Sequence, residues 1–402
     1  MKNSLKIVGL ILAMTFGAQA FSPTWIAEVR EIYNPPGAAS SNTQGLAYSQ
    51  AEKALYTSIT TSFPNRKEWS IRKSLDFGNT WQTVHSVEVN VTIWSAGGRD
   101  IAFSPTGSIF AIGRTEDPDK RSRWLVLRGN QTPGSWEIVD NYTLFPAPGD
   151  HYAYHIAISR KGYVCVTGKV ANNTDSTQVT ERRWIVRCSK DDGETWQTID
   201  DEPEGLSSSL AFDSKGNLYA AGVKYAANMP SVLQVKKLAR GTSTWKVIDR
   251  FQYAGRHTGA INAFVDSKDR VYAMGSGWEN QEAQLRRWLI RRSNDGGQTW
   301  KLVDRYTLQE GAYAEAYQMV EDHKGRLFTV GYAMDLEKRY HAIIRMSVNG
   351  GKTWSTVSDY MGPDNLGLYG HNLTSTPKRI FFSGGWYAQE GRKAILAELL
   401  QE

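Results

Sequence analysis

Ser74-Leu75-Asp76-Phe77-Gly78-Asn79-Thr80-Trp81 comes back three times along the chain. The copies are Ser189-Lys190-Asp191-Asp192-Gly193-Glu194-Thr195-Trp196, Ser293-Asn294-Asp295-Gly296-Gly297-Gln298-Thr299-Trp300 and Ser347-Val348-Asn349-Gly350-Gly351-Lys352-Thr353-Trp354. Eroded copies keep the tryptophan at Gly134-Ser135-Trp136 and Ser243-Thr244-Trp245, and Thr24-Trp25 stands alone near the start. These tryptophans are spaced by 56, 55, 60, 49, 55 and 54 residues. A fixed period of this length marks a repeat architecture, in which each unit buries its apolar face only against the next.

The turn has a local mechanism. Its Asp carboxylate accepts backbone N–H bonds from within the turn, and its Gly supplies a positive φ that other residues resist. The Trp then offers a broad apolar surface for packing between units. Each unit divides into four short strands. An alternating segment such as Ser209-Leu210-Ala211-Phe212 is followed by an Asp-x-Lys-Gly turn (Asp213 to Gly216). An apolar second strand is predicted to end at Gly, as in Ile109 to Gly113, Leu218 to Gly222, Val271 to Gly275 and Leu327 to Gly331. The third strand carries an aromatic and an Arg, as in Trp184 to Arg187, and the Asp turn leads into the fourth. Four strands in about 55 residues predict an all-β, seven-bladed β-propeller. Leu366 to Leu400 provides three strands and Trp25 to Tyr33 the missing fourth, so the N-terminal strand closes the last blade and removes an open edge.

Ser-x-Asp-x-Gly-x-Thr-Trp is the signature of the BNR/Asp-box repeat proteins, and the chain resembles them over its mature length. That superfamily includes sialidases, two-propeller xyloglucanases, sortilin-type receptors and lumenal photosystem assembly factors. The resemblance implies a propeller and leaves the activity open, because one fold hosts many functions.

Lys2 and Lys6, the apolar run Ile7 to Phe16 and Ala18-Gln19-Ala20 read as a secretory leader over residues 1–20, ahead of one propeller domain over 21–402. The expected location is periplasmic or extracellular. No later stretch reaches the ~18–20 apolar residues of a membrane helix. The net charge of +6 is interspersed, which argues against nucleic acid as a partner. Cys165 and Cys188 fall on neighbouring strands where a bridge is conceivable, but Cys165 occupies a column of buried aromatics and reads first as a small core residue.

In a propeller the second-to-third and blade-to-blade connections share one face, and here they vary most in length. Ligand contacts concentrate on such loops. Trp94, Trp278 and Trp386 lie off the repeat and map to this loop face, the latter two just past second strands. If they stack on a ligand, replacing Trp278 or Trp386 by Ala weakens binding and leaves stability nearly unchanged. Aligning the inner strands places Gly45, Asp100, His155, Ser209, Asn262, Gln318 and His371 at one position beside the channel. Arg99, Tyr154, Arg256, His257, Tyr317 and Tyr369 stand nearby, with Arg114, Lys169 and Lys224 at second-strand ends. This part-cationic funnel suits an anionic or polyhydroxylated ligand.

Sialidase-like hydrolysis would use Arg99, Arg114 and Arg256 as clamps, Asp100 as acid, and Tyr317 with Glu315 as nucleophile pair. The Arg-Ile-Pro motif of that family is absent, since the region reads Arg30-Glu31-Ile32-Tyr33-Asn34-Pro35. Another glycosidase would need two carboxylates ~5–5.5 Å apart for retention or ~6.5–9.5 Å for inversion, drawn from Asp100, Glu116, Asp150, Glu279 and Glu315. His151 and His155 sit on a strand without the helical spacing of a zinc site, and no phosphate-cradling Gly loop is present. The expectation is therefore a monomeric, exported binding propeller without cofactor or metal, whose ligand is a glycan or a protein segment, with glycoside hydrolysis as the alternative.

Overall fold

The computed structural model describes residues 25–89, 97–116, 121–132, 134–173, 175, 177–280 and 285–401. The leader and Trp94 lie outside the described residues. Among those described, twenty-eight strands pair into seven four-stranded antiparallel sheets, and no helix forms. The inner strands are Ser40–Ser49, Gly97–Phe103, Asp150–Ile158, Gly205–Phe212, Thr258–Val265, Ala314–Glu321 and Leu368–Ser375. Each neighbours the next around the ring, and the seventh neighbours the first. The architecture is the seven-bladed propeller the repeat predicts. Closure also follows the expectation: Trp25–Tyr33 pairs antiparallel with Gly391–Gln401, with Trp25 opposite Gln401 and Tyr33 opposite Ala394.

The core lies between blades. Seven clusters of buried side chains fill the seven interfaces, as where Trp69 and Ile71 of blade 1 meet Ile101 and Ile109 of blade 2. The third-strand tryptophans Trp69, Trp124, Trp184 and Trp288 are wholly buried. Each turn tryptophan caps the interface with the preceding blade, Trp81 against Phe381 and Leu396 for example. In the turns, Asp76 accepts from Thr80 N (2.8 Å) and Thr80 Oγ1 (2.7 Å), while Ser74 Oγ accepts from Gly78 N (2.8 Å). The same set of bonds holds Asp191 low, at about 2, with the Thr195 hydroxyl as the largest contribution.

The third-strand basic residue also has a structural reason. Arg187, Lys236, Arg291, Arg345 and Arg72 each reach back to a carboxylate on the preceding blade's outer strand: Asp140, Asp200, Asp249, Asp304 and Glu31. Five of the seven interfaces are bracketed in this way. Cys165 and Cys188 lie opposite each other in register and form a disulfide, so the small core residue expected at 165 is a bridged one.

One expectation is corrected. The second-strand glycines do not end their strands, which run on through Glu116, Ala226, Asn280 and Met334. Instead they face a β-bulge that recurs in every inner strand, between residues 43/45, 98/100, 153/155, 207/209, 260/262, 316/318 and 370/372. The bulge pushes an inner-strand carbonyl against the glycine. A Cβ on Gly168 would stand 1.9 Å from Tyr152 O, and one on Gly331 2.0 Å from Glu315 O. Six blades carry Gly at this position and blade 1 carries Ile59.

Candidate functional site: the loop-face mouth of the channel

The repeated bulge builds the channel lining. A bulge sets two residues of one strand against one of its partner and turns the extra side chain out of the pleat. The extra residues here are Gln44, Arg99, Tyr154, Ser208, Ile261, Tyr317 and His371, all half-buried. Together with several of the residues that follow them, they line a narrow axial cavity of about 40 Å³. The column read from the sequence was thus one residue out at its last member. Register makes Asn372 the equivalent of Asp100, while His371 belongs with Arg99 and Tyr317.

The residues after the bulge act mostly between blades. Asp100 Oδ2 accepts from Ile156 N (3.2 Å) and His155 Nδ1 accepts from Leu210 N (3.4 Å). Ser209 Oγ donates to Ala263 O (3.4 Å), Gln318 Oε1 accepts from Leu373 N (2.6 Å), and Asn372 Nδ2 donates to Thr43 O (3.3 Å). This polar column stitches five of the seven inner strands to the next. Asp100 is further held by Ile101 N (2.8 Å), and its Oδ2 lies 3.7 Å from His155 Nε2. Burial pushes the Asp100 carboxyl up and the His155 imidazole down, each partly offset by the other. His151 is structural: its Nε2 accepts from Leu144 N and Phe145 N, so Nδ1 carries the proton donated to Ser122 O.

Glu315 and Tyr317 do not form the pair that an i, i+2 spacing on a strand implies. The bulge at 317 breaks the alternation, sending Tyr317 into the channel and Glu315 into the interface with blade 5. There Glu315 accepts from Ser276 Oγ (2.5 Å), Tyr313 Oη (3.0 Å) and Tyr332 Oη (3.2 Å), with Arg286 at 3.7 Å. Burial, and then the Glu315 charge, hold both phenols far above their usual range. At neutral pH they are donors to Glu315, which orders them.

The expected tryptophan surface is not what the fold presents. Trp386 lies inside the strand Ile380–Ala388, within the blade 6–7 core, and its Nε1 donates to Asp364 (2.8 Å). Trp278 lies inside Val271–Asn280, half-buried beneath the Arg286 guanidinium at 4.3 Å. Arg256 sits in an exposed turn and does not line the axial cavity. Arg114 and Lys169 both pair with Asp150, and Lys224 with Glu202, so the cations expected at second-strand ends are already engaged in ion pairs.

The aromatic cluster at this end is built from tyrosine instead, half-buried except for the buried Tyr369. Tyr313 stacks on Tyr332 (5.4 Å between centroids), Tyr332 meets Tyr317 (5.6 Å) and Tyr340 (5.4 Å), and Tyr340 stacks on Tyr387 (5.3 Å). Tyr369 and His371 (4.4 Å) join this arc to the channel, and Arg392 covers Tyr369 and Tyr387. A tyrosine–cation pair faces it from blades 2 and 3, where Arg99 lies over Tyr154 and donates to Gln44 (2.7 Å). Beside Gln44 a second cavity of about 230 Å³ opens between blades 7, 1 and 2, with Tyr152 of blade 3 also in its wall. The sequence signal for the arc is the run of tyrosines between 313 and 387.

The chain matches no known family profile and no curated protein. Solved structures of similar fold include YCF48 bound to D1 peptide, with a TM-score of 0.52 and 14% identity over 95% of this chain and 98% of that one. An ulvan lyase of polysaccharide lyase family PL25, bound to -[GlcA(1-4)Rha3S]-, gives 0.56 and 9% over 92% and 96%. The β-propeller domain of Cps50 (Swd1) from Myceliophteria thermophila gives 0.52 and 8% over 92% and 99%. At these identities the likeness is one of fold.

Proposed function

We propose that this protein is an exported, non-catalytic binding propeller that recognises a glycan or a protein segment at the loop-face mouth of its channel. The observation that carries the reading is the tyrosine arc of Tyr313, Tyr317, Tyr332, Tyr340, Tyr369 and Tyr387 beside a cationic rim. Flat rings tipped with hydroxyls, held on sheet termini, give contact area at little entropic cost. Propellers of this fold hold a peptide in YCF48 and an acidic saccharide in the ulvan lyase, so the scaffold suits either ligand class. The leader-like residues 1–20 and the Cys165–Cys188 disulfide support export to an oxidising compartment. The bond pattern of the four intact turns supports membership among the Asp-box repeat propellers. The protein is read as a monomer that needs no cofactor.

Glycan and peptide arrays probed with the wild-type protein and with Tyr332→Ala and Tyr387→Ala test this. Binding on one array that both variants weaken supports the reading, and silence on both arrays removes it. The alternative, glycoside hydrolysis, rests on Glu315, a buried carboxylate near the mouth. It predicts release of reducing sugar that Glu315→Gln abolishes.

A further inference from the structure

We infer that the cavity between blades 7, 1 and 2 holds one anionic group, a carboxylate or a sulfate ester, of an acidic glycan. This rests on the glycan half of the proposed function and names its substrate class. The cavity measures about 230 Å³, room for a single charged substituent and its ring rather than for a chain. Lys67, Arg114 and Arg392 stand in its wall, and among the described residues no carboxylate does.

These cations differ in their surroundings. Arg114 is engaged by Asp150. Lys67 and Arg392 have no carboxylate within ion-pair reach among the described residues, and Arg392 spends its contacts on tyrosine faces and Tyr387 Oη (3.4 Å). The remaining wall is mostly hydroxyls and amides (Ser40, Ser41, Asn42, Gln44, Thr60 and Ser62), completed by the Gly97-Gly98 backbone and the Tyr152 ring under Arg114. Ser41 is committed to backbone, accepting from Ala394 N (3.0 Å), and the buried Asn42 Oδ1 has no partner.

Cations in no ion pair among the described residues, with Glu116 acting on Lys67 only from beyond that reach, fit an anion on a polyhydroxylated frame when set amid short polar side chains. A peptide segment would instead look for an open strand edge or apolar side-chain pockets, and among the described residues this wall has no aliphatic side chain. Gln44 lines both this cavity and the axial one, so an acidic sugar seated here leaves its neighbours at the channel mouth, towards the tyrosines.

The test measures binding of the full-length mature protein to four probes: oligogalacturonate, its carboxyl-reduced neutral counterpart, a heparin-derived sulfated oligosaccharide, and an acidic peptide with a free C-terminus. The expected result is binding of at least one charged saccharide. Lys67→Gln weakens it about tenfold or more, Thr60→Val weakens it less, and the wild-type affinity falls as salt rises. Preference between the carboxylated and sulfated probes identifies the anion. Equal binding of the neutral oligosaccharide, or affinity indifferent to both Lys67→Gln and salt, overturns this inference and leaves glycan recognition standing. Binding of the peptide alone overturns it and directs the function to proteins. Binding of none of the probes, with silent arrays, removes both.

Discussion

Breaking one inter-blade bracket on one side only should cost far more than removing the whole of it. Arg345 meets Asp304 of the preceding blade in a two-pronged pair, Nε to Oδ2 at 2.8 Å and Nη2 to Oδ1 at 2.7 Å, and its guanidinium covers the Tyr306 ring at 4.4 Å. Side-chain exposures are 10% and 6%, so neither charge has much water to fall back on. Arg345→Met strands the Asp304 carboxylate, a change that costs about 3–5 kcal/mol in buried pairs. Arg345→Met combined with Asp304→Leu exchanges the pair for apolar contacts and should recover most of that loss, giving a coupling of about 2 kcal/mol or more.

A pH dependence distinguishes this account from simple cavity formation. Burial already pushes the Asp304 carboxyl above its usual range, against the opposing pull of Arg345. Without Arg345 it rises further. A group with a raised folded value favours the folded state below its unfolded pKa, and that advantage is lost as pH rises through the folded value. The deficit of Arg345→Met should therefore be largest at neutral pH and shrink on acidification towards pH ~4, the unfolded carboxyl value. Urea unfolding of the four proteins of the cycle at pH 7 and pH 4.5 measures it. A single-variant loss below about 1 kcal/mol, or losses that simply add, would show that these brackets are solvated decoration and refute the reasoning.

Trp386→Ala should destabilise by about 3–5 kcal/mol, as large aromatic truncations in cores do, reversing the expectation of a dispensable ligand contact; a urea midpoint unchanged from wild type would return Trp386 to the surface. His151, His155 and His371 are all held below the usual imidazole value by burial. Their contribution to stability is present above pH ~6.5 and declines as pH falls towards the folded values, at up to about 1.4 kcal/mol per pH unit for each. Denaturation midpoints between pH 7.5 and 5.5 should fall accordingly, less steeply in His371→Phe, and a flat profile would contradict the burial. Reducing the Cys165–Cys188 bridge, which spans 23 residues, should cost about 3 kcal/mol by the loop-entropy argument, read as a lower midpoint in dithiothreitol that Cys165→Ala/Cys188→Ala reproduces without reductant.

Ring number, blade boundaries and closure by Trp25–Tyr33 were legible in the amino-acid order, because turn chemistry and alternation are local. An Asp two residues after a Ser, a Gly at positive φ and a Trp behind them act within a few residues, and their recurrence is a count. Three-dimensional packing decided where side chains point at the channel. The bulge shifts alternation by one residue, so Glu315 and Tyr317 part company, His371 changes column, and Asp100 becomes a stitch between blades. Even so, its trace was written in the second-strand glycines, which read as strand ends until the opposing carbonyl gave them another cause. The tyrosine arc gathers side chains from blades 6 and 7, and the second cavity from blades 7, 1, 2 and 3, across separations of tens to hundreds of residues. No local rule encodes that meeting, and only closure of the ring, which sets blade 7 beside blade 1, brings Arg392 and Lys67 to one wall.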